Sequence, residues 1–176
     1  MSYVGLVSEA QASPATKQLY LQIREKMGFL PNYFQAQGRL PGVITGQLAL
    51  TAGLDQTQAL PREVKEKIGM VVSGINSSSY CVAIHMEMLR QFGVEKALSR
   101  KLATKYAEAP VEEKEQALYR FADKLTRHPD DMSRADVEAL RQAGWSDDAV
   151  VETVVTVSYF NFVNRVSTGL GLVADF

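Results

Sequence analysis

Helix-opening signals, each followed by apolar residues at every third or fourth position, recur from Ser13 to the last quarter of this chain, and no pair of alternating apolar runs competes with them. Ser13-Pro14 offers a capping hydroxyl and a proline at the first helical position. Leu19, Ile23 and Met27 then return every fourth residue until Gly28 stops the helix. Phe29-Leu30-Pro31-Asn32 reads as a connector, followed by a short helical turn through Tyr33 and Phe34. Leu40-Pro41 opens a second long segment that ends near Gly53 and Asp55, with Val43, Ile44, Leu48 and Leu50 as its expected core residues. Pro61 begins a third helix, charged at its start (Arg62, Glu63, Lys65, Glu66, Lys67) and apolar at its end (Ile68, Met70, Val71, Val72, Ile75).

The turn residues Asn76-Ser77-Ser78 predict a cap before a helix running to Phe92-Gly93, and a shorter helix is expected over residues 95–103. Pro110 opens another, with Leu118, Phe121 and Leu125 on one stripe and its end before Pro129. Ser133 with Asp136 three residues on makes an imperfect capping box, and Gly144 closes that helix. Ser146 caps the last helix, where Asp147 and Asp148 suit the positive end of the helix dipole. Its run of Val150, Val151, Val154, Val155, Val157, Tyr159, Phe160, Phe162 and Val163 would suit a strand by propensity, but length and cap favour a buried helix. The prediction is one all-α domain, a helical bundle spanning residues 1–176, with its central motif region at about 60–93.

Composition narrows the function classes. A chain of 176 residues with 46% hydrophobic residues can bury a sizeable core. The net charge is −1 with scattered basic residues, which is no nucleic-acid footprint. A single cysteine excludes an internal disulfide framework and fits a reducing compartment. Met1-Ser2-Tyr3-Val4-Gly5-Leu6-Val7 lacks the basic start and apolar length of a signal peptide, and no apolar run approaches the roughly 20 residues that span a bilayer. The expectation is a cytoplasmic protein that contacts neither membrane nor nucleic acid. No phosphate loop or dinucleotide fingerprint is present, and one cysteine with one nearby histidine falls short of a zinc site, so neither cofactor nor metal is expected.

The chemistry concentrates in Ser78-Ser79-Tyr80-Cys81-Val82-Ala83-Ile84-His85, which holds the only cysteine and one of two histidines. On a helix Cys81 and His85 share a face, and Ser78 falls on the same stripe at i, i+3, i+7 spacing. An imidazole beside a thiol can take its proton, and the thiolate is the reactive form. Glu66 lies twelve residues before Ser78, so antiparallel helices joined by a short turn would carry its carboxylate to that stripe and complete a Glu–His–Cys relay. A plain structural reading stands beside this one. A lone cysteine on an apolar face is commonly a small hydrophobe, a helical histidine a satisfied polar group, and Glu66 a solvated charge. Asn161, Asn164 and Arg165 either line a pocket, where the guanidinium would hold a carboxylate, or serve in capping and subunit contacts, the favoured option. His128 reads as a surface residue and Trp145 as a packing anchor.

These residues resemble the carboxymuconolactone decarboxylase and alkyl hydroperoxidase D-like (AhpD-like) superfamily, in its peroxidase-related branch. The family motif is a glutamate followed twelve residues later by Cys-x-x-Cys-x-x-x-His, and Glu66, Cys81 and His85 match it in type and spacing. Further similarities lie in Gly28-Phe29-Leu30-Pro31-Asn32, Leu60-Pro61-Arg62-Glu63 and Phe160-Asn161-Phe162-Val163-Asn164-Arg165. Ser78 stands where the family has its first cysteine, and Tyr80 where a histidine is frequent. The resemblance implies that Cys81 is the attacking thiol and that Ser78 cannot resolve its sulfenic acid. That leaves a one-cysteine cycle closed by an external thiol reductant. It also implies homo-oligomers, as dimers, trimers or hexamers.

Three functions follow as expectations. The first is a thiol-dependent peroxidase-type oxidoreductase acting on a small hydroperoxide, with Cys81 attacking, His85 and Glu66 moving protons, and Ser78 at most donating a hydrogen bond. The second is a non-catalytic oligomeric scaffold that has lost the dithiol. The third is a decarboxylase-type acid/base enzyme for a small carboxylated substrate, with His85 and Glu66 as acid and base and Arg165 holding the carboxylate.

Overall fold

The computed structural model describes residues 2–175, and among these there are helices and turns but no strand. The α-helices are α1 (Pro14–Met27), α2 (Asn32–Ala36), α3 (Pro41–Gln56), α4 (Arg62–Ile75), α5 (Ser79–Gln91), α6 (Lys96–Lys105), α7 (Glu113–Arg127), α8 (Arg134–Gln142) and α9 (Asp147–Gly169). Single 3-10 turns follow α6 at Tyr106–Glu108 and α7 at Pro129–Asp131. No helix among the described residues is long and apolar enough to cross a membrane.

Local chemistry sets most of the boundaries. The Ser13 hydroxyl accepts from the Thr16 N–H, and Gly28 ends α1 at φ 79°, a left-handed conformation that a side chain would strain. Both halves of the Ser133/Asp136 capping box form, so the imperfect sequence match makes a complete cap. Ser146 caps α9 through the Ala149 N–H, and the β-branched run behind it is helical for 23 residues. Here burial against neighbouring helices overrides strand propensity. The helix expected from Pro110 starts three residues later, at Glu113.

α4 is the central element, packed by α5, α6, α7 and α9. Ile68, Met70, Val71 and Val72 are all but inaccessible to water. Lys65 and Lys67, from the charged start of this helix, are buried as well. Lys67 reaches Glu63 at 2.9 Å and Glu115 at 3.2 Å. The Lys65 ammonium donates to the carbonyl oxygens of Leu54 and Thr57 and pairs with Glu152 of α9. Glu152 also accepts from the Thr57 hydroxyl and, at 3.0 Å, from the Leu60 N–H. This buried knot fixes the α3–α4 connection to α9.

The apolar interior has two lobes. One gathers α4 to α9 around Leu60, Ile68, Leu89, Leu118 and Val157, and the other gathers α1 to α3 around Tyr20, Ile23, Phe34 and Ile44. Tyr80 and Cys81 of α5 belong to the second lobe. Two expected core residues of α3 lie elsewhere. Ile44 is buried, but Val43 and Leu50 are 43% exposed, on the opposite side of the helix beside an apolar groove shared with Val155 and Phe162 of α9.

The Glu152 knot carries a stability prediction. Burial pushes this carboxyl up, but the bonds from Lys65, Thr57 and the Leu60 N–H outweigh it and hold the pKa below the ordinary glutamate value. A carboxyl held low in the folded state adds stability above its unfolded pKa of about 4.3, and that stability disappears as pH falls through the lowered value. Glu152→Gln strands the Lys65 charge and is expected to cost about 3 kcal/mol at neutral pH in urea unfolding. The gap to the native protein should narrow below roughly pH 4. A gap independent of pH would refute the ion-pair account.

Candidate active site

The α4–α5 connection is the short turn the sequence predicts. Ser77 sits at φ 53°, and the Ser78 N–H returns to the Ser73 carbonyl at 2.9 Å. The chain reverses there, and α5 runs back along α4. Glu66 Oε2 lies 2.8 Å from His85 Nδ1. His85 is 6% exposed, so this ion-pair geometry is nearly enclosed. With Nδ1–H donating to the carboxylate, Nε2 is left as a proton acceptor.

One residue without a side chain makes the contact possible. A Cβ on Gly69 would come within 2.3 Å of His85 Cε1 and 2.6 Å of Nε2. Gly69 is one turn beyond Glu66 on α4, so the imidazole lies flat on bare backbone while Glu66 holds its edge. Phe160 of α9 closes the other side, edge-on to the imidazole with ring centroids 4.7 Å apart. The ring therefore cannot swing away without clashing.

Cys81 is one turn before His85 on the same helix and is 3% exposed. Its thiol donates to Ser167 Oγ at 3.4 Å, and the Ser167 hydroxyl donates to the Val163 carbonyl at 2.8 Å. Cys81, His85 and Glu66 all line one cavity of about 210 Å³. Its walls are largely apolar, from Ile23 and Met27 of α1, Leu48 and Leu54 of α3, Ile84 and Met88 of α5, and Phe160 and Val163 of α9. Lys26, Asp55 and Arg62 stand at its exposed side, with Lys26 Nζ 2.6 Å from Asp55 Oδ2. Among the described residues no three His, Cys, Asp or Glu side chains group as metal ligands.

Ser78 departs from the expected stripe. It is the N-cap residue of α5 at ψ 88°, outside the helical geometry that would align it with Cys81 and His85. Its hydroxyl is buried without a protein partner and does not line the cavity, and the thiol of Cys81 donates to Ser167 of α9 instead. Tyr80 is tied into structure. Its hydroxyl donates to Asp175 at 2.7 Å and accepts from the Tyr33 N–H at 3.1 Å, while Asp175 also accepts from the Asn32 N–H. Burial, then the Asp175 carboxylate, raise the Tyr80 pKa, so the phenol stays protonated.

The polar residues of α9 fall on the structural side of the two options. Asn164 donates to Ser73 and accepts from Asn76, and Asn161 accepts from Asn76 and Arg165. Arg165 is exposed and does not line the cavity, because its place on α9 turns it away from the α5 face. His128 is exposed, and Trp145 packs by donating to the Lys114 carbonyl at 2.8 Å.

Sequence reasoning missed Gly69, Ser167 and Tyr159. Gly69 carried a weak signal, a glycine inside an apolar helix three residues after an acid. Ser167 and Tyr159 gave none, because α9 approaches α5 only in three dimensions.

Residues 42–124 match the model of the carboxymuconolactone decarboxylase family. Among solved structures, the alkylhydroperoxidase AhpD core of an uncharacterized peroxidase-related protein from Ralstonia eutropha JMP134 superposes with a TM-score of 0.90 at 25% identity, covering 98% of this chain and 91% of that one. A peroxidase-related protein from Silicibacter sp. TM1040 gives 0.84 at 26% identity over 97% of this chain and 87% of the other. The debrominase Bmp8, solved with 2,3,4-tribromopyrrole, shares the fold at a TM-score of 0.81 and 21% identity, over 97% and 92% of the two chains. No curated protein sequence matches the chain. With a family match through its centre and the same helical fold along nearly its whole length, the chain is similar to the carboxymuconolactone decarboxylase family and to AhpD-like proteins.

Proposed function

We propose that this protein is a thiol-dependent, peroxidase-type oxidoreductase whose one redox centre is Cys81. Similarity to the superfamily supports a peroxidase-related or decarboxylase-like function in general. The observation that carries the finer reading is the Glu66–His85 bond at the wall of the same cavity that holds the only sulfhydryl. A decarboxylase-type site would want a free cation for its substrate's carboxylate; Arg165, the residue expected for that role, is outside the cavity, and the cations that line it are paired, Lys26 and Arg62 with Asp55 and Lys65 with Glu152. The apolar walls favour an organic hydroperoxide with a small hydrocarbon body.

In this reading Cys81 gives up its proton toward His85 Nε2 through water, and Glu66 steadies the imidazolium that results. The thiolate attacks the terminal oxygen of the hydroperoxide. The S–O bond forms as the O–O bond breaks, so sulfur is oxidised by two electrons to sulfenic acid. The departing alkoxide takes up the proton and leaves as an alcohol. An external thiol then condenses with the sulfenic acid, releasing water and leaving a mixed disulfide. A second thiol opens this bond by exchange, restoring Cys81 and carrying off the oxidised reductant. Ser78 takes no part in this cycle.

The decisive measurement is consumption of cumene hydroperoxide with a dithiol reductant. The native protein should turn over, and Cys81→Ser should fall to the uncatalysed rate. Equal rates for the two proteins would end the proposal.

A second outcome concerns Ser78. Replacing its unpartnered hydroxyl with a thiol removes a buried unmet donor, so Ser78→Cys is expected to be at least as stable as the native chain. Its sulfur would be one helical turn from Cys81, within the Cα spacing of roughly 4.4–6.8 Å that a disulfide allows. Dithiol-dependent turnover should therefore rise several-fold, with an internal disulfide seen by mass spectrometry after peroxide treatment. No disulfide would mean that the first motif position cannot reach the thiol in this scaffold.

A further inference from the structure

Four interior tyrosines place their hydroxyls on protein acceptors: Tyr20 on the Val7 carbonyl at 3.0 Å, Tyr33 on Gln47 at 2.6 Å, Tyr80 on Asp175 at 2.7 Å and Tyr119 on Glu115 at 2.7 Å. Tyr159 breaks the pattern. Its side chain lines the cavity beside Cys81 and His85, and no hydrogen bond to protein is made by its hydroxyl among the described residues. A phenol in a protein interior ordinarily finds a partner. One that faces a substrate cavity unpaired is a donor in waiting.

We propose that Tyr159 is a catalytic hydrogen-bond donor that holds the oxygen leaving from the hydroperoxide. The inference rests on the peroxidase reading and extends it to a residue outside the Glu–Cys–His motif. α9 runs antiparallel to α5, because Cys81 meets Ser167 while His85 meets Phe160. Tyr159, next to Phe160, is thus at the level of the imidazole and on the cavity side. Its ring is braced against Phe160 at a centroid distance of 5.8 Å, which fixes the direction of the hydroxyl. Burial raises its pKa, and the negative charges available to Glu66, Cys81 and Asp55 raise it further, so the phenol keeps its proton at neutral pH.

The step balances without consuming the tyrosine. Sγ of Cys81 bonds to the terminal oxygen, the O–O bond breaks, and its electron pair goes to the inner oxygen as an alkoxide. The Tyr159 O–H donates a hydrogen bond to that alkoxide as its charge develops. The alkoxide is then neutralised by the proton that His85 took from the thiol, and the alcohol departs with Tyr159 still protonated.

Tyr159→Phe keeps the ring and its contact with Phe160 while deleting the donor. With cumene hydroperoxide, whose leaving group is a strongly basic alkoxide, kcat/KM is expected to fall about tenfold or more. With peracetic acid, whose leaving acetate carries its charge unaided, the fall should stay within about threefold. Labelling of Cys81 by iodoacetamide and the unfolding midpoint should match the native protein, which a merely structural role for the hydroxyl would not permit alongside a substrate-dependent loss. Equal losses with both peroxides, or no loss with cumene hydroperoxide while Cys81→Ser is inactive, would overturn the role of Tyr159 and leave the peroxidase reading standing. Cys81-independent peroxide consumption would overturn both.

Discussion

The close approach of α5 to α4 at Gly69 is the constraint on which the site depends. A methyl group there would occupy the space of the imidazole, and the Glu66–His85 bond could not form at 2.8 Å. That bond in turn makes the burial of both groups tolerable, since an enclosed carboxylate or imidazolium without a partner is strongly disfavoured. Bare backbone below, Phe160 at the side and Glu66 at the edge leave the ring one orientation. The site is preorganised by packing.

Its location follows from the two-lobed interior. α4 stands in one apolar lobe, and the Cys81 turn of α5 belongs to the other, so the α4–α5 hairpin carries a polar pair across the seam between them. A cavity opens there because α1, α3 and α9 reach the seam from different directions. The Lys65–Glu152 knot pins the α3–α4 connection, and Asp175 ties the end of the chain to Tyr80 and the start of α2. Both anchors are made of polar groups that satisfy one another, which favours one arrangement of these helices over its neighbours.

Against that background the unsatisfied hydroxyls stand out. Ser78, at the mouth of the α5 helix, and Thr156, on the cavity wall, each bury an oxygen with no protein partner, although Thr153 on the same helix uses the Ala149 carbonyl at 2.7 Å. A buried unmet hydroxyl costs roughly 1–3 kcal/mol. A thiol, a weaker hydrogen-bonding group, would sit at position 78 without that penalty.

Much of the fold was legible in the sequence because helix ends are local. Caps at Ser13, Ser133 and Ser146, the stop at Gly28 and the turn before Ser79 depend on a few neighbouring residues, and the sequence reading places them to within a few positions. The approach of Glu66 to His85 was legible for the same reason, since a short turn leaves an antiparallel hairpin few alternatives. The outward face of Val43 and Leu50, the burial of Lys65 and Lys67, the removal of Arg165 from the site and the arrival of Ser167 and Tyr159 beside the thiol were not. Each depends on which helices meet across long sequence separations. A repeating apolar pattern says that a face is buried without saying against what. The sequence by itself determined the helices and the residues able to do chemistry; tertiary packing alone decided which of them share a cavity, because only the docking of α9 and α3 against the α4–α5 hairpin creates one.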